Sequence, residues 1–139
     1  MTEDSAASVI LGRLASIVDP RGVRMQYPNL QLSPREDETW VRASVLIQNA
    51  AITTLGGSKV KRRRMRVGAA YVNVFTPSGI GTKSNTDLCT AIRDSFEGQW
   101  SDPPLRYGQP TGVRIVTIGN DNQYYTQNVV IPFTFDVVA

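Results

Sequence analysis

Residues 59–77 read KVKRRRMRVGAAYVNVFTP: six basic residues within eight positions, Lys59, Lys61, Arg62, Arg63, Arg64 and Arg66, run without a break into an alternating apolar strand. The stretch before it, residues 39–54 (TWVRASVLIQNAAITT), is also rich in β-branched and aromatic residues and sets Val41, Ala43, Val45 and Ile47 on one face, the mark of a half-buried strand. Gly56 and Gly57 lie between the two runs, where a tight hairpin turn needs residues that tolerate positive φ. The runs are therefore expected to pair antiparallel. A single strand over residues 60–76 would reach about 55 Å at about 3.3 Å per residue, longer than a domain of this size requires, so part of the hairpin is expected to project as an arm. Gly68, Ala69 and Ala70 fall where the basic half meets the apolar half, a place suited to a bend or to close approach of another backbone.

Outward from the hairpin, two segments carry a helical period. In residues 5–19, SAASVILGRLASIVD, the residues Ala7, Ile10, Leu11, Leu14, Ile17 and Val18 recur at spacings of three and four. Asp4 or Ser5 can cap this helix, and Asp19-Pro20 marks its end because a proline disfavours helical geometry in the residue before it. In residues 86–100, TDLCTAIRDSFEGQW, a stripe of Leu88, Ala91, Ile92, Ser95 and Phe96 precedes Gly98, which suits a helix C-terminus. VRMQYPN reads as a short extended piece, SDPPLRYGQPTG as a loop and GVRIVTIG as a short strand. QNVVIPFTFDVV alternates with Val129, Ile131, Phe133, Phe135 and Val137 inward, and Pro132, unable to donate to a sheet ladder, predicts an edge strand or a bulge. The order predicts an α+β fold, a largely antiparallel sheet with a long β-hairpin arm and two helices packed on one face.

The chain has 139 residues, 41% hydrophobic and 19% charged, which suits a single domain over residues 1–139 burying about two-thirds of its unfolded surface. It has no apolar run near the roughly 18 residues of a membrane span, and its acidic, polar start is unlike a secretory signal. With six of the 15 basic residues in one run, 9 remain against 12 acidic ones, so the basicity belongs to one surface.

Chemistry-bearing patterns are sparse. The single cysteine, Cys89, lies beside the second helical stripe and reads as a small packing residue; with no histidine in the chain, neither a zinc site nor a histidine-activated nucleophile is expected. PSGIGTKSN, between a strand and a helix, invites a phosphate-loop reading, but Thr82 stands where a Walker loop needs glycine before the lysine, and Pro77 where it needs the earlier one. It reads as a structural turn. No cofactor, metal or catalytic residue is assigned. The basic run has three readings: a phosphate contact without sequence preference, a solvated tip that discourages edge-to-edge pairing, or an arm reaching an acidic surface of a neighbouring subunit. Glu36, Asp37 and Glu38, consecutive in a loop that starts with proline, form a candidate counter-surface.

Several pieces together resemble the phage tail terminators of long, non-contractile tails. These are the N-terminal amphipathic helix; Tyr27, Pro28 and Asn29; the strand from Trp40; FTPSGIG from Phe75 to Gly81; the helix with Leu88, Ile92 and Phe96; and VVIPF from Val129 to Phe133. The likeness is one of order and spacing over nearly the whole chain. It implies a small α+β virion structural protein that is not an enzyme and assembles as a hexameric ring on a completed tail tube. Such a ring halts tube polymerisation and presents the surface for head-tail joining. Implied partners are further copies of the chain, the tail tube protein, the head-tail connector protein and DNA passing through the channel, with no membrane. The implied location is the head-proximal end of the virion tail, after synthesis in the host cytoplasm. Alternatives from the residues are a head-completion or connector subunit, or a small nucleic-acid-binding domain that uses the basic arm as a clamp.

Overall fold

The computed structural model describes residues 3–28, 38–52, 63–79, 82–101, 105–108, 112–120 and 124–138. Two helices, α1 (Glu3–Val18) and α2 (Lys83–Phe96), accompany seven strands: β1 (Arg24–Gln26), β2 (Trp40–Ile52), β3 (Arg63–Pro77), β4 (Trp100–Ser101), β5 (Leu105–Tyr107), β6 (Arg114–Asn120) and β7 (Tyr124–Val138). The strands form one sheet in the order β1-β2-β3-β7-β5-β4, with β6 also pairing β7. Only β1 against β2 is parallel, so the expected α+β class with a largely antiparallel sheet is the observed one.

The α1 sequence buries Ala6, Ile10, Leu14 and Val18, one side chain per turn, while Leu11 and Ile17 pack half-buried beside them. The α-helix ends at Val18, where Asp19-Pro20 was expected to stop it. The chain then makes a single 3-10 turn over Asp19–Arg21 that accepts the proline, and Gly22 at φ 70° closes it, with Val23 N–H donating to Val18 O. In α2 the buried stripe is Asn85, Leu88, Cys89, Ile92 and Phe96; Gly98 at φ 69° follows the helix, and the Glu97 N–H donates to Arg93 O.

β2 and β3 pair from Trp40↔Phe75 to Ile52↔Arg64, the expected antiparallel hairpin; its tip, residues 53–62, lies outside the described residues. From Arg63 onward β3 is flanked on its other side by β7 along its whole length, Arg63↔Val138 to Pro77↔Tyr124. The register slips by one residue between Ile47 and Asn49, directly across from Gly68. A Cβ on Gly68 would lie 2.5 Å from Leu46 O and 2.7 Å from Phe133 Cζ, so the expected close approach is there and excludes any side chain.

Two expectations are corrected. β7 is an interior strand, with β3 on one side and β5 and β6 sharing the other. Pro132 is tolerated because β6 starts at Arg114 opposite Val130 and β5 finishes at Tyr107 opposite Phe133. Its carbonyl accepts from Gly108 N–H at 2.7 Å on that side, so the missing donor points into the gap between two short strands. The segment expected to be a loop, from Ser101 on, holds the end of β4 and all of β5, and Leu105 and Tyr107 are core residues at 0% and 1% exposure. Prolines at 103 and 104 hide in composition what the Leu-Arg-Tyr alternation does in the sheet.

One face of the sheet is covered. Val41, Ala43, Ala70, Val72, Val74, Val129, Ile131, Phe133 and Phe135 form one cluster with the buried faces of α1 and α2. The opposite face has no helix over it among the described residues.

Candidate assembly surfaces

The basic run divides at the limit of description. Lys59, Lys61 and Arg62 lie outside the described residues, as do Glu36 and Asp37. Arg63 and Arg64 occupy register positions opposite Val138 and Val137 of β7, and Arg64 also pairs with Ile52 of β2. Arg66 is half-buried and sits opposite Ala50 and Phe135, on the alternation that carries Gly68, Ala70 and Val72. The run therefore enters the sheet at its C-terminal end.

Glu38 is brought to Arg24. Its carboxylate accepts from Arg24 Nε at 2.5 Å and Nη2 at 2.7 Å, a bidentate pair that fixes the start of β2 beside the parallel β1. Hydrogen bonding to Glu38, opposed by desolvation and aided by the charge itself, raises the Arg24 pKa above its ordinary value. Sequence reasoning missed this pair, because the partners are 14 residues apart and a parallel pairing leaves no turn signal between its strands.

The helix-free face carries a second feature that the sequence did not announce. Trp40 and Phe75, register partners across β2 and β3, stack at 4.2 Å between centroids, and Tyr124 meets both edge-on. The Arg42 guanidinium carbon lies 5.4 Å from each of the Trp40 and Phe75 centroids, and its Nε is 3.4 Å from Gln26 Oε1. An arginine seated in this way is partly ordered before any partner arrives. On the same face, Arg114 of β6 is exposed and Arg106 of β5 donates from Nε to Thr134 Oγ1 at 3.2 Å.

The helical side is tied down by internal contacts. Arg13 donates to Ser95 O through Nε at 3.1 Å and Nη2 at 2.6 Å, and its guanidinium lies over Phe96 and Tyr107, joining α1 to the end of α2. Asn85, in the first turn of α2, directs Nδ2 at Val74 O (2.9 Å), Tyr125 O (3.0 Å) and Thr76 Oγ1 (3.1 Å), which fastens the PSGIGTKSN connection to β3 and β7. Cys89 is fully buried, within 3.4 Å of Asn85 Oδ1, and burial pushes its thiol up to about 12, which suits packing and not nucleophilic attack. Among the described residues, no three metal-ligating side chains come together and no helix is long and apolar enough to cross a membrane.

No curated protein matches the chain. One solved chain, designated only by a sequence identifier, is similar to it with a TM-score of 0.70 at 18% identity, over 100% of this chain and 96% of that one. At that identity the likeness shows the fold alone. The sequence profile described as phage tail terminator protein matches residues 6–126, from α1 into β7. With that much of its length inside the profile, the chain belongs to the phage tail terminator family, whose members are structural tail proteins.

Proposed function

We propose that residues 1–139 act as one ring subunit, that six copies close into a hexameric ring, and that the ring caps the head-proximal end of the tail tube. The cap ends tube polymerisation and offers the surface on which the head-tail connector docks. The observation that carries this reading is the family match over residues 6–126. The fold is compatible with it, since a ring needs a heterologous contact in which one patch meets a different patch on the next copy, and the molecule has two chemically unlike sides.

The basic hairpin, with Lys59, Lys61, Arg62, Arg63 and Arg64, is one member of that contact. Its acidic partner is narrowed to Glu36 and Asp37, because Glu38 is engaged by Arg24 of its own chain. Changing Arg62, Arg63 and Arg64 to glutamate is expected to abolish ring assembly; intact rings by sedimentation would rule this pairing out.

The cap itself is tested by deleting the gene from its parent phage and measuring tail lengths by electron microscopy. Overlong tubes without heads are the expected result. Tails of normal length with unattached heads would replace the cap with a head-tail joining role.

A further inference from the structure

The two sides of the molecule differ in charge as well as in packing. The helix layer exposes Asp19, Asp87, Asp94 and Glu97 against Arg21 and Lys83. On the helix-free face Arg42 and Arg114 are exposed, and the nearest described carboxylate, Glu38, is already held by Arg24. Between the two arginines lie Ser44, Tyr71, Asn73 and Asn128, uncharged groups that can hydrogen-bond. Arg42 and Arg114 stand three strand steps across and two residues along the sheet, about 16 Å apart at about 4.8 Å per step and about 3.3 Å per residue.

This face lacks the centre of a protein-docking surface. Its exposed aliphatics are Leu46 (51%) on β2 and, three strands away on β6, Val116 (42%) with Ile118 (59%) two residues on; the polar middle of the sheet separates the two groups, so they do not join into one broad apolar patch. Cations among neutral hydrogen-bonding groups, with Arg24 holding the one carboxylate described near them, suit a regular polyanion whose charges recur within that width.

We propose that the helix-free sheet face meets the sugar-phosphate backbone of duplex DNA, with Arg42 and Arg114 as phosphate contacts. The inference rests on the ring reading, in which one side of the subunit lines a channel; the acidic helix layer then faces outward. Arg42 is suited to this role because Trp40, Phe75 and Gln26 already position its guanidinium, so less side-chain freedom is lost on contact. Binding of this kind is independent of base sequence and steeply dependent on salt.

The test is fluorescence anisotropy of a labelled, mixed-sequence DNA duplex titrated with the full chain over a salt series. The double variant Arg42→Ser/Arg114→Ser is expected to weaken binding by about tenfold or more at low salt and to lower the slope of log affinity against log salt by about 2. The helix-layer variant Asp87→Asn/Asp94→Asn should bind at least as well as the parent chain. Circular dichroism melts establish that each variant is folded. No salt-dependent binding by the parent chain would overturn the proposal, as would unchanged affinity in the double serine variant. Unchanged DNA affinity combined with lost self-association would identify the face as a protein interface instead. Tail lengths separate this proposal from the cap reading: overlong tails in the deletion, with no DNA binding by the parent chain, sink the DNA face and leave the cap standing.

Discussion

The two faces of the sheet are built by the same strands and do opposite things. Val41, Ala43, Val72 and Val74 point under the helices at 0–2% exposure, while their neighbours Arg42, Ser44 and Leu46 in β2 stand in solvent. With a side-chain period of two, one strand can serve a core and a surface at once, and a one-residue slip would exchange them. The covered face holds the hydrophobic core cluster, and the other face carries the exposed polar and charged side chains of the same strands. Changes on the two faces should therefore separate cleanly, which can be tested from the largest expected effect downward.

Phe96→Ala should be the most damaging. The ring is fully buried, meets Tyr107 edge-on at 4.8 Å and lies beneath Arg13, so its removal leaves a cavity where both helices and β5 converge. A loss of about 3–5 kcal/mol is expected, measured by urea denaturation. A loss below 1 kcal/mol would mean that the helix layer contributes little to the core.

Gly68→Ala tests the point where the covered face allows no side chain. The added methyl would meet Leu46 O and the Phe133 ring, and the backbone oxygen cannot rotate away. The expected cost is about 1–3 kcal/mol, with the register of β2 against β3 the first thing to move. Amide exchange along β2 would report that movement.

Cys89 gives the covered face a pH signature. Its thiol is raised to about 12 in the fold by burial, from an ordinary value of 9.0 that the unfolded chain keeps. Below that lower value both states hold the proton and stability is unaffected. Between the two values the unfolded state ionises while the folded state does not, so stability falls as pH rises, by about 1.4 kcal/mol per unit. Cys89→Ala should remove this component, which a pair of denaturation series across that window would show.

Much of the covered face was legible in the sequence and little of the open one, for physical reasons. Core positions repeat, so Ile10, Leu14 and Val18 announce a helix and Val129, Ile131, Phe133 and Phe135 a strand without any knowledge of their partners. Leu105 and Tyr107 escaped because a three-residue strand is too short for a period and its neighbouring prolines signal a loop. Pro132 misled because its cost depends on what lies beside it, and the gap between β5 and β6 is a property of the sheet. The six contiguous basic residues drew notice by adjacency alone. Arg42, Arg106 and Arg114 come from three separate strands, and the register brings them to one face.

The smallest stability effect is expected from the positions with the largest expected effect on binding. Arg42→Ser/Arg114→Ser removes two exposed side chains that fill no cavity; Arg42 gives up a ring contact and a long hydrogen bond to Gln26. Surface changes of this kind usually stay within about 0.5 kcal/mol, so the urea midpoint should barely move. A shift as large as that of Gly68→Ala would mean that Arg42 is a structural prop for the Trp40–Phe75 pair, and any accompanying loss of DNA affinity would then follow from a disturbed sheet. An unmoved midpoint with lost affinity would place function on the open face and stability beneath the helices.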